Sequence, residues 1–162
     1  MSARSEYLCY TDGSCKAADG APGGWGFHIK RPDGPPVEGH GKAVHTLAKI
    51  MEYLAVAEAL AVLPHGASAT VFSDNQSLID NLARHLGTWA SRGFVKVDPG
   101  IVDSVRSIHG SITDKRLTVQ WHWLRSHNGN AGNERADALA AQGAREAKAE
   151  LKGDEAPRSR RR

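Results

Sequence analysis

The sequence predicts an α/β fold, a mixed β-sheet with helices packed on its faces. Three observations carry this. Extended runs at residues 7–11, 25–30 and 37–44 follow one another across short turns. A stretch free of Pro and Gly then repeats apolar residues at steps of three and four over residues 46–63. Further extended runs at 69–73 and 117–124 alternate with helical segments.

The first run (YLCYT) is apolar, aromatic and β-branched, and Asp12-Gly13 is expected to turn the chain after it. The second (WGFHIK) follows a Gly/Pro-rich turn at 20–24, and the third follows Pro35-Pro36, so the three read as an antiparallel meander. In the first helix Leu47, Ile50, Met51, Leu54, Ala57 and Ala61 form the expected apolar stripe, with Thr46 as N-cap and Pro64 and Gly66 as the stop. Glu52 falls away from the centre of that stripe, whereas Glu58 falls near it and is expected to be a partly buried structural carboxylate. The fourth run stops at Asp74-Asn75, with Asp74 expected to cap a helix starting near Gln76. Residues 86–98 are less regular, and Pro99 is expected to open a helix over 100–108. The last helix is expected over 133–151, capped by Asn133 with Glu134 in its first turn.

A length of 162 residues fits one domain, and 40% hydrophobic with 24% charged residues is ordinary for a soluble one. No apolar run approaches the roughly 18 residues of a membrane span, so no membrane partner is expected. Residues 1–6 are polar and carry no secretory pattern, which makes the cytoplasm the expected location. Cys9 and Cys15 form neither a disulfide framework nor a zinc pattern and are read as packing residues. Residues 1–140 hold 14 basic and 14 acidic side chains, whereas residues 141–162 hold seven and four, so the net +3 belongs to the C-terminal end. That end is either a solvated tail or an arm for a polyanion.

Asp12 closes the first extended run and Asp74 the fourth. If those strands are neighbours, both carboxylates meet at one sheet edge, where ligands of open α/β sheets bind. Glu52 falls in the first two turns of one helix and Asp137 in the first turn of another. Singly, each has an ordinary reading: turn residue, cap, solvated helix position, or a charge suited to a helix N-terminus. Together, four carboxylates from four elements can surround one point. Their mutual repulsion is relieved by a divalent cation, and oxygen-only ligation suits Mg²⁺ or Mn²⁺. Two such ions roughly 3.5–4 Å apart are the usual apparatus for in-line displacement at phosphorus.

Thr11-Asp12-Gly13-Ser14-Cys15, Gly23-Gly24-Trp25-Gly26, Met51-Glu52, Ser73-Asp74 and His127-x-Gly-x-x-x-Asn-Glu-x-x-Asp137 stand in this order along the chain. The set resembles the type 1 ribonuclease H family over about residues 5–145. The resemblance implies a ribonuclease H-like fold with a five-stranded mixed sheet. It implies metal-dependent endonucleolytic hydrolysis of the RNA strand of RNA–DNA hybrids, leaving 5′-phosphate and 3′-hydroxyl ends. On this resemblance Asp12, Glu52, Asp74 and Asp137 hold two Mg²⁺ ions, for which Mn²⁺ substitutes. His127 matches the family's mobile histidine, which shuttles protons or assists release. Substrate contacts are expected at Ser14, Lys49, Gln76, Trp89 and Arg92. Residues 1–151 are expected to form the catalytic domain of a monomer, and residues 152–162 a basic, disordered tail. The alternatives are another nuclease on the same fold and a non-cleaving hybrid-binding module. The positions of Glu52 and His127 argue against the first. Retention of all four carboxylates argues against the second, because an idle cluster would only destabilise the fold.

Two departures from the family stand out. The polar run it carries just before Met-Glu is here Ala48-Lys49-Ile50. Ala48 offers no side-chain hydrogen bond toward the 2′-hydroxyls that distinguish RNA from DNA, and Thr46 or Gln76 can only partly compensate. The family's basic protrusion keeps Trp89, Arg92, Gly93 and Phe94, but Lys96 is its only further basic residue. Ala48→Asn is therefore expected to lower KM for hybrid, by a hydrogen bond of about 0.5–1.5 kcal/mol. Steady-state kinetics check this, and an unchanged or higher KM would show that recognition has been rebuilt elsewhere.

Overall fold

The computed structural model describes residues 6–16, 20–125 and 129–155. Its elements are β1 (Glu6–Cys15), β2 (Ala21–Lys30), β3 (Val37–Thr46), α1 (Ala48–Ala61), β4 (Ser68–Ser73), α2 (Gln76–Ser91), α3 (Val102–Asp114), β5 (Thr118–Trp123) and α4 (Ala131–Glu155). They form a five-stranded sheet in the order β3-β2-β1-β4-β5. The β1–β2–β3 meander is antiparallel, and β4 runs parallel to both β1 and β5. The expected mixed α/β sheet is present.

Strand alternation decides which helix covers which face. Gly13 faces α1, since a Cβ there would stand 2.5 Å from the Glu52 backbone nitrogen and 2.8 Å from the Met51 carbonyl carbon. Asp12 and Ser14 therefore face the other way, opposite Gly26 and Gly24 of β2. A Cβ on Gly26 would lie 2.6 Å from the Ala140 nitrogen and 2.8 Å from the Ala136 oxygen, so α4 rests directly on the β2 backbone. On the α1 face the core joins Cys9, Ile29, Tyr53, Val56, Leu60 and Val71, and continues into Val105 and Ile108 of α3. Burial pushes the Cys9 thiol up to about 12, which keeps it protonated and inert.

The structure corrects several element boundaries. β1 does not end at Asp12. It leaves β4 after the Tyr10↔Phe72 pair but continues to Cys15 because β2 keeps pairing with it. Thr46 does not cap α1: its pairing with Ala21 keeps it in β3, and Leu47 precedes the helix without a side-chain cap. The expected apolar stripe of α1 is also too narrow. Met51, Tyr53, Ala55, Val56, Ala57, Ala59 and Leu60 are all buried because α3 covers the side away from the sheet, whereas Leu47 is 39% exposed.

Asn75, not Asp74, caps α2, its Oδ1 accepting from the Leu78 N–H at 3.0 Å. α2 stays helical through Ser91, where an irregular segment was expected, and turns occupy residues 92–101. Pro99 does not open α3: Asp98 Oδ1 accepts the Gly100 N–H at 2.9 Å in a local turn, and the helix begins at Val102. Asn130, not Asn133, caps α4, its Oδ1 accepting the Asn133 N–H at 2.9 Å while Asn133 itself is buried. α4 runs on to Glu155, past the domain boundary expected at 151. Most of the basic tail lies outside the described residues.

The outer face is tied by Glu38 of β3. Its carboxylate accepts from Arg135 of α4 at 2.8 and 2.9 Å and lies 2.7 Å from His28 Nδ1 of β2. Arg135 first, and then His28, hold the Glu38 carboxyl down to about 2.

Because α4 lies against bare β2 backbone, Gly26→Ala is expected to force the helix outward. A loss of about 1–3 kcal/mol, as overpacking typically costs, should appear as a lower urea midpoint with an unchanged m-value.

Candidate active site

The parallel β1–β4 pair places two acidic residues side by side. The last register pair is Tyr10↔Phe72, so Asp12 and Asp74 each follow by two residues. β4 ends there, and Asp74 stands at its carboxyl end as expected. Asp12 lies inside the longer β1, just beyond the point where β4 departs. The close passage of α1 over Gly13 brings Glu52 to the same point.

Carboxylate oxygens of Asp12, Glu52 and Asp74 lie within 4.8 Å of one another. Asp137 of α4 stands near enough to raise the Asp12 carboxyl, but it lies outside the set of three whose oxygens fall within 4.8 Å of one another. Asp137 was expected in the first turn of its helix. It is the seventh residue of α4, because the helix starts at Ala131. Glu58, on the same helix as Glu52, takes no part in this group.

Asp12 is 6% exposed, and its Oδ1 accepts the Gly13 N–H at 3.0 Å. Burial raises its carboxyl to about 9, helped by Asp137 and by the charges of Asp74 and Glu52. Burial also raises Glu52, against a hydrogen bond from Asn75 and with the Asp74 charge. Two unit charges within 4.8 Å repel by roughly 3–4 kcal/mol at an effective dielectric near 20. The group is therefore poorly balanced alone and suited to a hard cation. Among the described residues its donors are carboxylate oxygens, with no sulfur or imidazole in the group, which is the chemistry of Mg²⁺ and Mn²⁺ sites.

Two residues that sequence reasoning passed over hold this group in place. Asn75 bridges two elements: its Nδ2 donates to Glu52 Oε2 while its Oδ1 caps α2. An Asn directly after the acidic strand end and just before a helix was the available signal. Trp123 of β5 donates its indole N–H to the Asp74 carbonyl oxygen at 3.2 Å, with the Arg125 guanidinium over its ring. Its signal was its place at the carboxyl end of β5, level with Ser73 at the end of the neighbouring β4.

The expected substrate contacts lie outside the carboxylate group. Lys49 sits one turn before Glu52 and bonds Asp98 at 3.0 Å, an exposed pair that water and salt screen. Gln76 is exposed at the start of α2, and Ser14 follows Asp12 on the same face of β1. Trp89 is half-buried against the core with its ring 6.0 Å from that of His85, and Arg92 is exposed at the end of α2. His127 lies outside the described residues.

The sequence model of the RNase H family matches residues 4–145. This chain belongs to the RNase H family. It is 36% identical over 139 residues to the ribonuclease H of Polaromonas naphthalenivorans, covering 84% of this chain and 85% of that protein. It is 38% identical over 136 residues to the ribonuclease H of Bordetella pertussis, covering 83% and 86%. Among solved structures, LC9-RNase H1, described as a type 1 RNase H with the type 2 active-site motif, superposes with a TM-score of 0.74. The identity is 22%, over 90% of this chain and 75% of that one, which establishes the shared fold. The foamy viral protease–reverse transcriptase, solved with an RNA/DNA hybrid, superposes with a TM-score of 0.63 at 20% identity, over 85% of this chain and 20% of that one. RNase H family enzymes depend on divalent metal, and the carboxylate group fits that requirement.

Asp12 binds its proton more tightly in the folded chain than in the unfolded one. Its contribution to stability is full below about pH 4 and is lost as pH rises through about 9. Asp12→Asn, which cannot ionise, is therefore expected to melt above the wild type in metal-free buffer, by a margin that grows from pH 5 to pH 9. Calorimetry should also show divalent-cation binding lost. A margin that stays flat with pH would remove the electrostatic account of the site.

Proposed function

We propose that this chain is a metal-dependent endonuclease that hydrolyses the RNA strand of RNA–DNA hybrids, leaving 5′-phosphate and 3′-hydroxyl ends. The observation that carries this reading is the convergence of Asp12, Glu52 and Asp74 within 4.8 Å, with Asp137 near enough to act on the Asp12 carboxyl. Family membership supports it independently.

In this reading Asp12, Glu52, Asp74 and Asp137 hold two Mg²⁺ ions, with Mn²⁺ as a substitute. Bound divalent ions supply an activated water and stabilise the charge that develops on the leaving oxygen. The chain's own residues provide the frame. Asp12 stands at the centre, buried and reached by carboxylates from three other elements. Asn75 fixes the direction of the Glu52 carboxylate, and Trp123 anchors the backbone that carries Asp74. His127 is assigned proton transfer or release at the reacting end. Ser14, Lys49, Gln76, Trp89 and Arg92 are assigned to the nucleic acid, and Lys49 reaches it by leaving Asp98. The protein is read as a monomer acting in the cytoplasm. Cys9 and Cys15 are free thiols, which suits a reducing compartment.

Digestion of end-labelled RNA–DNA, RNA–RNA and DNA–DNA duplexes with and without Mg²⁺ tests the proposal. Cutting of the hybrid alone, in the RNA strand and only with metal, is the expected result. Tight hybrid binding without cutting would favour the binding-module alternative.

A further inference from the structure

Beyond Ser14 a cavity of about 590 Å³ opens between the far ends of β1 and β2 and the C-terminal half of α4. Its floor is apolar, formed around Pro22, Ala144 and Leu151, and four cations line it: Lys16, Arg145, Lys148 and Lys152. Among the described residues no acidic side chain lines it. Glu146 and Glu150 turn to His40 and Lys42 of β3, at 3.2 and 4.0 Å, while the basic residues turn to the cavity. None of the four cations forms an ion pair among the described residues. Lys148 and Lys152 lie beyond the residues 4–145 matched by the family.

We infer that this groove carries the sugar–phosphate backbone of the hybrid beyond the catalytic centre. The inference rests on the functional reading above for the identity of the ligand. Continuity favours a nucleic acid over an acidic peptide. Asp12 and Ser14 share one face of β1, roughly 7 Å apart, so a strand seated at the carboxylates runs directly into the groove. Arg145, Lys148 and Lys152 follow at about 4.5 and 6 Å along the helix axis, a spacing that serves consecutive phosphates. An apolar floor beneath charges of one sign focuses their field, as low-dielectric clefts do. The need is also present: residues 1–140 are formally neutral, and the segment after α2 offers few cations beyond Arg92 and Lys96.

The test uses the full chain with Arg145→Gln, Lys148→Gln and Lys152→Gln combined. All three side chains are exposed and Gln keeps helix propensity, so the fold is retained. Binding of a labelled RNA–DNA hybrid is measured across a salt series without divalent metal, and cleavage kinetics are measured with Mg²⁺. The variant should flatten log K against log[salt] by about 2–3 units. KM should rise at low salt while kcat at saturation stays within about twofold. A hybrid cut back so that it ends beside the cleavage site should erase the difference. Equal slopes and equal KM for variant and wild type would overturn the assignment. So would a fall in kcat matching the rise in KM, which would place these residues at the chemistry. An acidic, apolar peptide that binds the wild type and not the variant, with hybrid binding untouched, would make the groove a protein-docking site instead. A wild type that binds hybrid without cutting it would reject the functional reading, and the salt slopes would still decide the groove.

Discussion

Asp12 is caught between two helices that both approach the sheet to backbone contact. α1 passes over Gly13 and α4 lies over Gly24 and Gly26, and any Cβ at these positions would collide with helix backbone. The closeness buries Asp12 and brings Glu52 to it from one side and Asp137 from the other. Burial is the largest cause of its raised carboxyl, ahead of the neighbouring charges. The three glycines thus set the dielectric of the site as well as its shape. A loose α1 or α4 would leave the same carboxylates solvated, farther apart and with less reason to bind a cation.

The electrostatic arrangement costs stability in one place and is supported from others. Carboxylates packed this tightly oppose folding, and a ligand that binds only the folded form offsets the cost by mass action. Asn75 and Trp123 keep the group from relaxing apart, because each ties an acidic residue to a second element. On the outer face Glu38 is fully used by Arg135 and His28, which fastens α4 to the meander near the end that carries Asp137. The far half of α4 has a different division, with Glu146 and Glu150 toward β3 and Arg145, Lys148 and Lys152 toward open space. One helix thereby carries Asp137 beside the carboxylate group near its start and presents positive charge near its end.

How much was legible depended on whether a feature is local. The alternation of extended and helical runs marked all five strands, and apolar periodicity placed α1 within two residues at each end. Caps were harder. Thr46, Asp74 and Asn133 each stood within a few residues of a helix start and had suitable chemistry, but pairing and packing gave the role to another residue or to none. The width of the buried face of α1 was misjudged because α3, remote in sequence, covers its outer side. Asp12-Gly13 reads as a turn in isolation. It stays in β1 because β2 continues to pair with it and because α1 needs the space where a side chain would stand.

The residue types and order alone determined the mixed α/β fold, the four acidic positions and the hard-cation chemistry they imply, since hydrophobic period, turn residues and carboxylate identity are properties of short stretches. Only the tertiary structure decided that Asp12 is buried, that Asp137 reaches it from the seventh position of α4, and that Asn75 and Trp123 brace the group. The basic groove beside Ser14 was likewise invisible in one dimension, because its walls are separated by more than a hundred residues. Such features depend on distances between chain segments, which are fixed by backbone packing of helices on glycines and not by any local preference.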